Sequence, residues 1–134
     1  MAERILPPDA ETIVVAYLSA CLPGASVVGF RQGDPTGRAL QVRQTGGARR
    51  DVATFVPQVT ITAWGASPRD DLGASDLALE AASWMAYAEQ AGWMSDAACA
   101  AVEVLSLPYQ DPDPVTGRAR YSATYRPHLR GAVV

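Results

Sequence analysis

The chain has 134 residues, of which 49% are hydrophobic and 19% are charged, and its formal net charge is −3 at pH 7. This balance predicts one globular domain over residues 1–134 and excludes an intrinsically disordered chain. All eleven basic residues are arginine. The acidic total argues against a general nucleic-acid-binding protein, which usually carries a basic patch.

The first predicted element is a helix within residues 7–24, PPDAETIVVAYLSACLPG. Asp9 and Glu11 favour its start, because carboxylates are stabilised near the positive N-terminal end of a helix. The apolar residues recur at helical spacing and form one face: Ile13, Val14, Tyr17, Leu18 and Cys21. Pro23 and Gly24 should end the helix.

Three short strands are predicted next, over residues 26–30, 39–44 and 58–64. The third alternates apolar and polar side chains, as a strand does when one of its faces is buried. Residues 32–38 contain Asp, Pro and Gly in the order that favours a type I turn. Residues 45–51, TGGARRD, are glycine-rich and polar, so we expect a mobile connection there.

The longest predicted element is a second helix within residues 67–92. Ser67 and Asp70 form a loose capping box at its start, and Gly92 should end it. The expected apolar stripe consists of Leu77, Ala81, Trp84 and Ala88, flanked by Leu79, Ala82 and Met85. We therefore expect Trp84 to be buried against the sheet.

Two strands close the chain, one over residues 100–107 and one after the loop DPDPVTGR. One set of side chains on the final strand should face the core: Ala119, Tyr121, Ala123 and Tyr125. The other set should face away from the core: Arg118, Arg120, Ser122, Thr124 and Arg126. The predicted order α-β-β-β-α-β-β indicates an α+β fold, with two helices packed on one face of a mainly antiparallel sheet.

The sequence contains none of the common catalytic or phosphate-binding motifs. His128 stands alone, without the nucleophile and the orienting acid that a general base needs beside it. Cys21 and Cys99 are interpreted as free thiols, and the cysteines and the histidine lack the paired spacing of a metal site. We therefore expect a protein that is not an enzyme and that uses no cofactor and no metal.

Residues 12–30 carry no charge, but Pro23 and Gly24 interrupt them, so no membrane span is expected. Residues 18–21, LSAC, have the form of a lipoprotein cleavage site, which would place lipid on Cys21. The segment before them is more acidic than basic, unlike the start of a signal peptide. A lipoprotein is therefore kept only as an alternative, and the chain is expected to start in the cytoplasm.

Three longer segments carry a resemblance to a known family: PDAETIVVAYLSACLPG (residues 8–24), VPQVTITAWGAS (56–67) and LPYQDPDPVTGRARYSATYRPHLRG (107–131). Taken in order, they resemble the tail terminator proteins of long-tailed phages, in the form found in actinobacterial phages. The last segment is the most specific, because family members often end in a Pro/Asp turn, a Thr-Gly pair, an aromatic-bearing strand and Leu-Arg-Gly. The resemblance covers nearly the full length and departs from the family in the longer loop QTGGARRD, residues 44–51.

This resemblance implies a structural protein of the virion that forms a homohexameric ring at the head–tail junction. Such a ring caps the finished tail tube, stops its polymerisation and offers a surface to the head-side connector, or stopper, protein. The implied partners are further copies of the chain, the major tail tube protein and that connector. DNA would only pass through the lumen, no membrane would be involved, and assembly would occur in the host cytoplasm. The alternatives are another head–tail neck or head-completion protein, a small lipoprotein, or an enzyme.

The candidate interface residues are charged residues of the loops and of the last strand: Arg31, Arg38, Arg49, Arg50, Asp51, Arg120 and Arg126. Charged, glycine-containing loops with few ties to a core are candidates to become ordered against a partner. The polar face of the last strand is too polar for a core and too regular for a loop. We expect these residues to contact a neighbouring subunit or the tube, while Tyr121 and Tyr125 hold the strand on the core.

Overall fold

The computed structural model describes residues 3–134, which form two helices and eight strands. The helices are α1 (Ala10–Cys21) and α2 (Asp71–Ala91). The strands are β1 (Ile5–Leu6), β2 (Ser26–Gly29), β3 (Ala39–Arg49), β4 (Thr54–Trp64), β5 (Trp93–Met94), β6 (Ala97–Gln110), β7 (Arg120–Arg130) and β8 (Ala132–Val133). The predicted domain also included residues 1 and 2, which lie outside the described part of the chain. No helix within residues 3–134 is long and apolar enough to cross a membrane.

Six strands form one sheet in the order β2-β3-β4-β7-β6-β5, and β1 pairs with β8 in a separate ribbon. Every pair in the larger sheet is antiparallel except β2 and β3, which are parallel. The predicted α+β class and the mainly antiparallel sheet are confirmed. The parallel pair was not predicted. The two-residue strands β1, β5 and β8 were not predicted either, because so short a strand has no sequence period of its own.

The connection between β2 and β3 differs from the prediction because these strands run in the same direction. It begins with a 3-10 turn over Phe30–Gln32 and continues through residues 33–38 as a crossover. Only a bend over residues 36–38 is found where the type I turn is predicted. Parallel neighbours cannot be joined by a tight turn, so the longer connection follows from the topology.

Residues 45–51 are not a mobile connection, contrary to the prediction. β3 continues to Arg49 and pairs with β4 as far as Phe55, so a long β-hairpin replaces the expected loop. Gly47 has a φ of 137°, and a Cβ atom there would lie 2.6 Å from the Cα of Pro57. The glycine that suggested a loop is therefore a requirement of the close approach between these two strands.

Both helices pack on the same face of the sheet, and buried side chains of the helices and the sheet form one hydrophobic core. β4 contributes Val59, Ile61 and Ala63 to this core, in the predicted alternation. The two helices are joined directly, because the hydroxyl of Tyr17 donates a hydrogen bond to the backbone carbonyl of Trp84 at 2.5 Å.

The start of α2 differs from the capping-box prediction, whereas its end is as predicted. The N-cap is Asp70 rather than Ser67, and its Oδ1 accepts a hydrogen bond from the backbone N–H of Gly73 at 2.9 Å. An aspartate satisfies a free N–H of the first turn and is favoured by the helix dipole. At the other end Gly92 stops the helix as predicted, with a φ of 79°.

The buried face of α2 is shifted round the helix from the predicted stripe. Its buried residues are Ala74, Leu77, Ala78, Ala81, Met85 and Ala88. Trp84, which was expected to be buried, is only half-buried, and its ring packs edge-on against Tyr87 with 5.5 Å between the ring centres. Leu79, predicted to flank the core, is 56% exposed. Small alanines occupy the centre because they let the helix lie close to the sheet.

Candidate assembly interface

The sheet face opposite the helices is lined by polar side chains, and we call it the polar sheet face: Gln58, Thr60, Thr62, Arg120, Ser122, Thr124 and Arg126. The predicted alternation of β7 is confirmed, since Ala123 and Tyr125 point into the core. On the polar side, the hydroxyls of Thr60 and Thr124 lie 3.1 Å apart across the two strands. Cross-strand polar pairs of this kind stabilise the sheet, so the face is partly an internal network.

Arg120 was predicted to meet a partner, and its side chain binds groups of its own chain. Its Nε donates to the backbone carbonyl of Asp111 at 2.7 Å, and its Nη2 lies 3.7 Å from Oδ2 of the same residue. The hydroxyl of Ser122 donates to that carboxylate at 2.8 Å. Arg120 therefore holds the start of the β6–β7 loop against β7.

Arg118 and Arg120 both lie over the ring of Trp64, with their Cζ atoms 4.4 Å and 5.3 Å from the ring centre. Arg118 also donates from Nη1 to the carbonyl of Pro35, and from Nη2 to the carbonyl of Gly37 at 3.1 Å. The two arginines thus fasten two different loops onto one tryptophan. This intramolecular role explains much of the arginine content of the closing strand.

Arg126 belongs to a chain of polar contacts that crosses the sheet. Its Nε and Nη2 donate to Oε1 of Gln58 at 3.3 Å and 3.2 Å, and its Nη1 lies 4.0 Å from Oε2 of Glu103. Oε1 of Glu103 lies 3.1 Å from Nε2 of His128, whose Nδ1 is 3.4 Å from Nη1 of Arg50. The lone histidine is therefore a bridge between a carboxylate and the tip of the β3–β4 hairpin.

Arg31 and Arg38 tie loops to the helices. Arg31 donates from Nε to Oε2 of Glu11 at 2.9 Å and from Nη2 to Oδ1 of Asp9 at 3.3 Å. The hydrogen bond to Asp9 and the charge of Glu11 raise the pKa of Arg31 above its ordinary value. Arg38 lies 3.7 Å from Oε2 of Glu80 on α2. Both side chains thus have partners within the chain.

Asp51 and Arg49 lie at the tip of the β3–β4 hairpin and differ in their contacts. Oδ1 of Asp51 accepts hydrogen bonds from the backbone N–H groups of Ala53 at 3.0 Å and Thr54 at 2.8 Å. These hydrogen bonds lower the pKa of the Asp51 carboxyl below its usual value, and the bond from Ala53 has the largest effect. Arg49 is exposed, and within residues 3–134 its side chain makes no hydrogen bond or ion pair.

We expect Asp51→Ala to lower the Tm at neutral pH by on the order of a few degrees, because the turn loses its acceptor. Asp51→Asn keeps an acceptor and should retain most of the Tm. The lowered pKa means that the carboxylate stabilises the fold above pH 3.8, and that this contribution is lost as the pH falls through the folded-state pKa. The parent should therefore melt at a higher temperature than Asp51→Ala at about pH 7. At about pH 3 the two Tm values should lie closer together. Equal melting of parent and Asp51→Ala at neutral pH would contradict this role.

β6 is an open edge of the sheet along most of its length, because β5 pairs only with Ala97 and Ala98. This strand carries exposed apolar side chains, which we call the apolar edge: Val104, Leu105, Leu107 and Tyr109. Leu107 is 71% exposed. Soluble proteins usually blunt an edge strand with charges, because an open apolar edge is a template for pairing with another chain. The apolar edge is therefore well suited to contact a second protein chain.

Two leucines of α2 are also exposed. α2 runs alongside β6, since Asp71 and Glu89 accept hydrogen bonds from β6 at 3.4 Å and 2.9 Å. Leu72 and Leu79 lie about 80 to 100° round the helix from these two residues, on the side away from the core. Leu72 is 74% exposed. The leucines therefore face away from the sheet and lie outside the apolar edge.

The structure does not bring the predicted interface residues together into one patch. Most of them bind groups of their own chain: Arg31, Arg38, Arg50, Asp51, Arg120 and Arg126. The apolar edge was not predicted as an interface. Its signal in the sequence is the pair Val104 and Leu105, since adjacent residues of a strand point to opposite faces and cannot both enter one core.

A scan against protein-family models finds no match for this chain, and a search of curated proteins finds none either.

Proposed function

We propose that this chain is a tail terminator of a long-tailed phage. In this proposal it is a structural, non-enzymatic protein whose hexameric ring caps the tail tube at the head–tail junction of the virion. The family assignment rests on the resemblance of residues 8–24, 56–67 and 107–131 to that family. The structural observation that supports it is the apolar edge, an unpaired edge strand whose apolar side chains are exposed although the hydrophobic core is formed without them.

In this proposal the ring caps the tube by covering the end to which further subunits would add. A ring of identical chains needs a heterologous contact, in which one surface of a subunit meets a different surface of the next. Once closed, the ring would cover the end of the tube, so that no further tube subunit could add there. Its other rim would remain free for the head-side connector. The cap therefore needs shape and adhesion and no chemical step.

The polar sheet face suits the lumen of such a ring. Its threonines and serine are paired across strands, and Arg120 and Arg126 are held by Asp111, Gln58 and Glu103. Free cations in a channel would bind phosphates strongly, because each released counterion adds to the affinity. Arginines that already have partners would let DNA pass with less retention.

The proposal is tested by removing the gene from a phage that encodes this chain. We expect overlong or uncapped tails in electron micrographs, and tails of normal length when the chain is supplied in trans. Tails of normal length that fail to join heads would assign the chain to the neck instead and contradict termination. Normal virions without the chain would contradict any role at the junction.

A further inference from the structure

The sheet has a second open edge, at the opposite end from β6. β2 pairs only with residues 39–42 of β3, so residues 43–49 have β4 on one side and no strand on the other within the described chain. These residues are exposed. On β6 the open stretch is residues 103–107, because Glu89 binds the N–H before it and Pro108 has no N–H to offer after it.

The two edges carry opposite charge. α2 and β6 contain no basic residue, and the acids beside the β6 edge are Asp71 and Glu89 of α2 and Glu103 of β6. Residues 43–51 at the other edge contain Arg43, Arg49 and Arg50 against the single acid Asp51. Arg49 in particular is exposed and has no partner within residues 3–134. Complementary charge of this kind steers association and suppresses contacts between like edges.

The strand directions also fit. β3, β4, β7 and β6 alternate in direction across the sheet, so β3 and β6 run opposite to each other. A second copy placed beside β6 with its own β3 edge would continue the sheet in an antiparallel pair, the ordinary mode of strand addition. Because the two edges differ, the contact is heterologous, and its repetition gives a ring when the rotation from copy to copy closes on itself.

We propose that the ring is closed by strand addition, in which residues 103–107 of one copy pair antiparallel with residues 46–50 of the next. The inference rests on the proposed ring and names the surfaces that build it. A register with Glu103 opposite Arg50 sets two residues of the polar side of the sheet against each other and forms an ion pair between the copies. The same register sets Leu105 opposite Ala48, whose small side chain leaves space for the leucine.

Disulfide trapping tests this pairing. Directly opposed residues of neighbouring strands lie within disulfide reach, so Ala48→Cys combined with Leu105→Cys should link successive copies. All of these variants also carry Cys21→Ser, and the other native cysteine, Cys99, is buried, so that the introduced thiols form the cross-link. On oxidation we expect a ladder of covalent multimers, about tenfold more abundant than in either single variant. Ala48→Cys with Glu103→Cys covers a register shifted by two residues.

The matched control is Ala48→Cys with Val115→Cys, because Val115 lies on the β6–β7 loop, is 91% exposed and lies outside the proposed interface. This control should give no ladder. Rings visible by electron microscopy, without a ladder from either test pair, would overturn strand addition and leave the ring itself intact. A parent chain that neither forms rings nor caps tubes would overturn the proposed function, a result distinct from the first.

Discussion

We expect the double substitution Leu105→Asp and Leu107→Asp to abolish ring assembly while leaving the single chain folded. Both side chains are exposed in the single chain, so their replacement removes little from its core. In the ring they would be covered, and a carboxylate enclosed without a partner is strongly unfavourable. Association should weaken by at least about 100-fold, or roughly 2.7 kcal/mol.

The measurement is the oligomer distribution by analytical ultracentrifugation, with and without tail tubes, beside a thermal melt of each variant. Val115→Asp introduces the same charge at an exposed apolar position outside the proposed interface, and it should assemble like the parent. If the double variant assembles as the parent does, the apolar edge is not the interface. If its Tm falls sharply, the two leucines support the fold and the interpretation of this surface is wrong.

The largest effect on stability is expected at Tyr125, whose side chain is 1% exposed in the core. Tyr125→Ala should lower the free energy of unfolding by about 3 to 5 kcal/mol, because it removes a large buried ring and leaves a cavity. Tyr109→Ala is the matched control, since Tyr109 is an exposed tyrosine on the neighbouring strand, and it should cost much less. Chemical denaturation of both variants measures the difference, and equal losses would contradict this account of the core.

Tyr125→Phe tests the contribution of the hydroxyl to stability, because it keeps the ring. Within the described residues the buried hydroxyl of Tyr125 has no hydrogen-bond partner, so its removal should leave stability equal or higher. Burial also raises the pKa of Tyr125 from 10.0 to about 12. The parent should therefore lose stability as the pH rises from about 10 to about 12, and the phenylalanine variant should lose less. A clear loss of stability in Tyr125→Phe at neutral pH would indicate a partner for the hydroxyl.

The sequence was enough to predict features that depend on residues close together in the chain. Gly92 ends α2 because it takes a left-handed conformation, and the alternation of β4 and β7 reports which of their faces is buried. The sequence did not reveal that residues 45–49 continue the strand β3. Gly46 and Gly47 have low strand propensity, and only their pairing with Gln58 and Pro57 of β4 keeps them extended.

The roles of the arginines could not be predicted for a similar reason. Arg118 binds the carbonyls of Pro35 and Gly37, which are about eighty positions away in the chain. Nothing local distinguishes it from Arg49, which has no partner within residues 3–134. A regular arginine face suggests a partner surface, yet the fold uses most of that face internally. The apolar edge was missed because exposure depends on which strands have neighbours.

The central claim is most directly tested by a cryo-electron microscopy reconstruction of the head–tail junction in virions of a phage that encodes this chain. The account predicts a hexameric ring of this chain between the end of the tail tube and the head-side connector, with β6 of each copy against the next subunit. A junction ring built from another protein, with this chain elsewhere in the particle or absent from it, would contradict the account.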